Sequence, residues 1–84
     1  MNSTRWKILV TLLEEGDINI TKLAKKCSVR YDVLKHEVDF LERRGIVEVI
    51  SGDGVRAKII RINYSNPKVI LLKDLIEEVK DILE

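Results

Sequence analysis

The stretch from Thr21 to Val47 limits what this chain can fold into more than any other part of it. Apolar residues fall at Leu23, Ala24 and Cys27, the pattern breaks at Ser28 and Val29, and it resumes with Leu34, Val38 and Leu41 before Gly45. Both segments follow helical spacing. Two helices joined by so short a break must cross at a large angle, which presents the second one outward. Thr21 is read as the cap of the first of the pair, with Leu23, Ala24 and Cys27 inward and Lys22, Lys25 and Lys26 outside. The second is expected from about Arg30 to Arg44. Arg43 and Arg44 complement its C-terminal dipole, and Gly45 supplies a left-handed cap.

The flanking sequence supplies what packs behind this pair. Ser3 or Thr4 is a candidate N-cap for a leading helix whose Trp6, Leu9, Val10, Leu12 and Leu13 keep helical spacing until Gly16. Ile18-Asn19-Ile20 is too short for a helix, and its alternation suits a brief strand able to pair with a later hairpin. That hairpin is expected from Ile46 to Ile62, where two β-branched runs flank Gly52-Asp53-Gly54. Alternation fails at Ile59-Ile60, which predicts either burial on both faces or a bulge. Asn66-Pro67 then opens a final helix, with Asn as cap and Pro at its first position.

Length, charge and cysteine usage narrow the class. The chain has 84 residues, enough for one domain with one modest core, and burial from a second copy is the usual supplement at this size. No apolar run approaches the roughly 18 residues of a membrane span, and no signal peptide is visible. Cys27 is the sole cysteine, at a core position, and reads as a buried structural thiol. These features point to an intracellular, cytoplasmic protein. Abundant charge, Ile and Val, and the absence of Gln, lean toward a thermophile. Net charge is only +1, yet it is unevenly distributed. Residues 21–44 carry seven Lys or Arg against four acids, whereas residues 67–84 carry three Lys against five acids. Cations therefore gather on the paired helices, and the acidic end lies at the C-terminus.

The expected order is helix, short strand, helix, helix, strand, strand, helix, an α+β arrangement. From Leu23 to Val49 the chain reads L-A-K-K-C-S-V-R-Y-D-V-L-K-H-E-V-D-F-L-E-R-R-G-I-V-E-V. That stretch resembles the helix-turn-helix of winged-helix DNA-binding domains of the MarR-like and ArsR-like kind and of their small archaeal relatives, up to the strand that enters the wing. One departure is Ser28, where the family's turn often has Gly. The resemblance implies a winged-helix unit over residues 1–66 that binds double-stranded DNA, with base-reading residues on the exposed N-terminal half of the third helix, here Tyr31, Asp32, Lys35 and His36. Lys35 suits guanine O6/N7, Asp32 a cytosine amino group, Tyr31 a thymine methyl or a phosphate, and His36 a purine acceptor or a phosphate. Arg30, Lys22, Lys25 and Lys26 would meet phosphates. Arg56, Lys58 and Arg61 would form the wing's cationic edge along the backbone or minor groove. The same side chains also suit an ordinary solvated face, with Asp32 and His36 as an i,i+4 pair. Glu37, Asp39 and Glu42 oppose DNA docking unless they face away from it.

Residues 67–84 are read as a dimerisation helix. Val69, Leu72, Ile76, Val79 and Leu83 alternate spacings of three and four, and Ile70, Leu71, Leu75 and Ile82 widen the seam. One side can pack on the first helix and the other on a second copy. Leu72, Leu75, Ile76, Val79, Ile82 and Leu83 are the expected centre of a homodimer interface, and Trp6 and Tyr64 are read as core or dimer packing. A single histidine beside a single cysteine supplies no metal site, and no arrangement for nucleophilic, acid–base or phosphate-loop chemistry is present. The reading is thus a non-enzymatic transcriptional regulator with no cofactor, no membrane partner and no evident small-molecule ligand. Two alternatives stand beside it: a weakly specific chromatin-type DNA binder, and a winged helix used as a protein-interaction module in a larger assembly.

Overall fold

The computed structural model describes residues 3–52 and 57–84. Its elements are α1 (Ser3–Glu15), β1 (Ile18–Asn19), α2 (Ile20–Cys27), α3 (Tyr31–Arg43), β2 (Val47–Ser51), β3 (Lys58–Ile62) and α4 (Pro67–Leu83). The expected order of elements is observed. Val55, Arg56 and Asp53, assigned above to the hairpin and its tip, lie outside the described residues.

β3 is the central strand of a three-stranded antiparallel sheet of order β1-β3-β2. That position explains the broken alternation. The ladder is continuous, with Ile60 facing both Ile18 and Val49 and Ile59 facing both Asn19 and Ile50. Ile60 enters the core and Ile59 is half-buried on the other side. Burial on both faces, without a bulge, is the outcome. At the hairpin end the Gly52 amide donates to the Ala57 carbonyl at 2.6 Å. A Cβ at position 52 would lie 2.7 Å from that oxygen, so the close approach requires glycine.

Two caps differ from expectation. α2 begins at Ile20, and its N-cap is Asn19, whose side chain accepts from the amides of Thr21 at 2.8 Å and Lys22 at 3.4 Å. Thr21 is therefore capped and does not cap, because an asparagine two residues earlier already reaches the orphan donors. Ile20, read as a strand residue, is the first residue of that helix. In α1, Ser3 and Thr4 are both already helical. The C-terminal signals hold: Gly16 and Gly45 take φ of +75° and +71°, and Asn66 caps α4 with Pro67 behind it.

The core is assembled from every element. Ile8 and Leu12 of α1, Ile20, Leu23 and Cys27 of α2, Leu34, Val38 and Leu41 of α3, Val47 and Ile60 of the sheet, and Val69 of α4 are buried together. Two asparagines lock the turn after α3 to the turn before α4. Asn63 and Asn66 each donate a side-chain N–H to the Gly45 carbonyl, at 2.9 and 3.0 Å. These two hydrogen bonds satisfy a carbonyl in the turn after α3 and fix where α4 begins.

Candidate nucleic-acid interface

The exit from α2 sets how α3 is presented. Ser28 adopts φ 55° and ψ 45°, the left-handed conformation, with its amide on the Ala24 and Lys25 carbonyls. The Val29 amide also bonds to the Ala24 carbonyl at 3.0 Å. This is a Schellman-type stop, so serine does occupy the strained position where glycine is more usual. Arg30 follows as the extended N-cap residue of α3, without a side-chain capping bond.

α3 divides into two faces. Leu34, Glu37, Val38 and Leu41 are buried. Asp32, Lys35, His36, Glu42, Arg43 and Arg44 are exposed. Three of the four candidate reading residues, Asp32, Lys35 and His36, thus project from the N-terminal half. Tyr31 is half-buried and packs against the core, which shortens its reach. Asp39 is half-buried, one helical turn beyond Lys35 and two beyond Asp32, so it shares their side of the helix.

The acidic residues of α3 have different fates. Glu37 points inward, where its Oε2 accepts from the Arg5 Nε at 2.7 Å. The Arg5 guanidinium also lies over the Phe40 ring, 3.6 Å from its centroid, and that of Arg44 lies over the same ring at 4.2 Å. This cluster ties the start of α1 to the middle of α3 and removes Glu37 from the outward face. Spacing alone carried the signal for Glu37, which sits three residues after Leu34 and four before Leu41, on the core stripe. Nothing local signalled Arg5 or Phe40 as its companions, because the pair is separated by 32 positions.

The candidate phosphate contacts also divide. Lys22, Lys25 and Lys26 are exposed, but the Lys26 Nζ pairs with Glu15 at 2.9 Å. Arg30 pairs with Asp32 at 3.0 Å, both well exposed. Arg61, assigned to the wing, bonds to Asp17 at 2.7 Å and faces Glu48 across the sheet. Its Nε is buried without a partner. Lys58 is half-buried at the start of β3. Among the described residues Lys22, Lys25 and Lys35 form no ion pair. The acidic segment at the end of α1 explains these commitments: Glu14, Glu15 and Asp17 hold Lys80 of α4, Lys26 of α2 and Arg61 of β3 respectively. The Glu14 hydrogen bond and charge raise the pKa of Lys80 above its ordinary value.

α4 runs beside α1, with Ile76 and Lys80 against Val10 and Glu14. Val69 and Ile76 are its buried residues. Leu72 packs partly on the core, whereas Leu75, Val79, Ile82 and Leu83 are exposed. Ile76, grouped above with the dimer residues, thus serves the chain's own interior. Trp6 and Tyr64 are not core residues: Trp6 lines an apolar groove between α1 and α4, and Tyr64 is exposed beneath the Lys73 ammonium.

Among the described residues no group of His, Cys, Asp or Glu is arranged to hold a metal, and no helix is long and apolar enough to cross a membrane. No protein-family model matches the sequence, and no curated protein matches it. Solved structures do. HlyU from Vibrio cholerae superposes with a TM-score of 0.77 at 18% identity, covering 93% of this chain and 79% of that one. A MarR-family regulator from Neisseria meningitidis gives 0.78 at 19% identity, with 99% and 60% covered. A protein from Archaeoglobus fulgidus gives 0.74 at 24% identity, with 100% and 91% covered. The chain adopts the α+β winged-helix fold of MarR-like regulators. It spans 51–60% of the length of MarR-family regulators and more of the other two.

Proposed function

We propose that this protein binds double-stranded DNA as a homodimeric transcriptional regulator, with α3 in the major groove and the β2–β3 wing along the backbone or minor groove. One observation carries the reading. The N-terminal half of α3 projects Asp32, Lys35 and His36 from a domain whose adjoining helix offers the unpaired Lys22 and Lys25. A major groove about 12 Å wide accepts one helix, and these side chains present donors and acceptors to base edges. Lys22, Lys25 and Arg30 serve phosphates. Arg30 exchanges its exposed pair with Asp32 for a phosphate, which in turn releases Asp32 for a cytosine amino group. Lys26 and Arg61 are secondary, since each is already paired. Dimerisation through α4 would set two α3 helices roughly 34 Å apart on a near-palindromic site. The fold's regulator relatives support a binding role over an enzymatic one.

The test is fluorescence anisotropy on duplex DNA across a salt series. Binding should weaken linearly in log salt, with a slope set by the number of phosphates met. No binding to any duplex at low salt would sink the reading. A second reading, a protein-interaction module, is favoured by Asp39, which shares its side of α3 with Lys35. That reading gains if duplex binding is absent.

A further inference from the structure

We infer that Val33 reads the 5-methyl group of a thymine when α3 lies in the major groove. The inference deepens the DNA binding of the proposed function and rests on it. The first observation is an apolar side chain on a polar face. Val33 lies in the first turn of α3 and is 40% exposed. Around it Leu34, Glu37 and Val38 are buried, while Asp32, Lys35 and His36 point outward. Among the described residues of α3, Val33 is the one exposed apolar side chain. Apolar residues scattered singly over a surface need no partner, but this one is also conformationally unfavourable. A β-branched side chain loses χ1 freedom in a helix, and here it gains little burial in return. A local rule broken without a gain inside the chain is expected at a functional site.

The second observation is placement. At about 100° per residue, Val33 lies about 60° around the helix from His36 and about 100° from Asp32. Lys35 stands on the other flank, about 160° from Val33. Around the outward face the order is therefore Lys35, Asp32, His36, Val33: an ammonium, a carboxylate, an imidazole and a pair of methyl groups. Val33 is off the core stripe of Leu34, Val38 and Leu41, so it borders the candidate reading residues instead of the interior. Tyr31, which the sequence offered for a thymine methyl, packs against the core. Val33, two residues on, is the apolar side chain that stays outside.

The groove decides what such a side chain can recognise. Base edges in the major groove carry hydrogen-bond donors and acceptors and one apolar feature, the thymine 5-methyl group. Lys35, Asp32 and His36 find partners among the donors and acceptors. The valine methyl groups can pair with none of them. Against a polar base edge they would desolvate a donor or acceptor and leave it unsatisfied. Against a thymine methyl they bury apolar surface on both sides of the contact. Val33 therefore favours thymine both by the contact it makes and by the bases it disfavours.

The test replaces thymine by uracil, which removes the methyl group and leaves every hydrogen-bonding atom in place. Duplexes bound by the full chain are selected from random DNA, and deoxyuridine is then put in place of one thymine of the selected duplex at a time. At an enriched thymine, uracil should weaken binding about fourfold, the effect of leaving one methyl group unburied. The Val33→Ala protein should bind the parent duplex more weakly and lose the uracil effect at that position, because both changes remove the same contact. Alanine is the better helix former at this exposed position, so the variant keeps its fold, which its thermal midpoint checks. A selected site without an enriched thymine overturns the inference and leaves DNA binding standing, and so does one that tolerates uracil throughout. A Val33→Ala protein that keeps the full uracil effect likewise overturns it. Failure to bind any duplex at low salt overturns this inference and the DNA reading together.

Discussion

α3 and α4 are both helices with one buried and one outward face, and they are finished differently. α3 buries Leu34, Val38 and Leu41, neutralises its inward Glu37 with Arg5, and shows water mainly polar and charged groups. α4 buries Val69 and Ile76 and leaves most of its other apolar side chains outside. A helix complete within its own chain has its outward chemistry free for a polar partner. A helix left apolar outside lacks a covering surface. On the function proposed above, the two faces address two different partners, and substitutions on them should fail in different ways.

The widest contrast is in stability. Leu34 is fully buried and Leu75 is 61% exposed. Leu34→Ala should cost about 2–5 kcal/mol by urea unfolding. Leu75→Ala should cost under about 0.5 kcal/mol at concentrations where the chain is monomeric, and more as concentration rises. Equal losses at low concentration would erase the comparison. For the same reason Leu75→Asp with Val79→Asp is the informative disruption of the dimer, whereas Ile76→Asp would also injure the monomer. Next in size is Glu37→Gln, which leaves the partly buried Arg5 without its carboxylate. It should lose roughly 1–3 kcal/mol in the same assay, with neutral behaviour showing that Arg5 is anchored without the Glu37 carboxylate.

Where the sequence was legible follows from the range of the forces involved. Helical spacing, the Asn66-Pro67 start and the Gly45 stop are local, and each appears where its residues predict. The core of α3 was legible for the same reason. The cap of α2 is Asn19 and not Thr21 because capping depends on which of two nearby polar residues points back at the amides, and only geometry decides that. The ion pairs were not legible at all: Arg61 with Asp17 and Lys80 with Glu14 join residues 44 and 66 positions apart. These pairs matter for the candidate site, because they separate the free Lys22, Lys25 and Lys35 from cations already engaged.

The outward face of α3 can be probed without touching its core. Lys35→Ala should relax preference at one base position, worth about 1–3 kcal/mol of discrimination between cognate and altered duplexes. Lys25→Ala should weaken all duplexes alike and lower the salt slope by about one. Neither should change the sedimentation of the free protein. A Lys35→Ala variant that loses affinity uniformly, as Lys25→Ala does, would move Lys35 from the bases to the backbone.

The smallest effect concerns the turn that presents α3. Ser28 sits at φ 55° with an exposed side chain. A left-handed conformation costs a residue with a Cβ roughly 1–2 kcal/mol. Glycine removes that cost but widens the unfolded ensemble, which returns about 0.4–1 kcal/mol. The net expectation for Ser28→Gly is a gain of at most about 1 kcal/mol, seen as a small rise in thermal midpoint. Ser28→Val, β-branched at positive φ, should move the other way. If valine is tolerated as well as glycine, the turn does not hold α3 at a fixed angle. The contrast with α4, whose exit is pinned by Asn63 and Asn66 on the Gly45 carbonyl, would then be one of rigidity as well as chemistry: the apolar face would sit on the firmer mount and the polar face on the looser one.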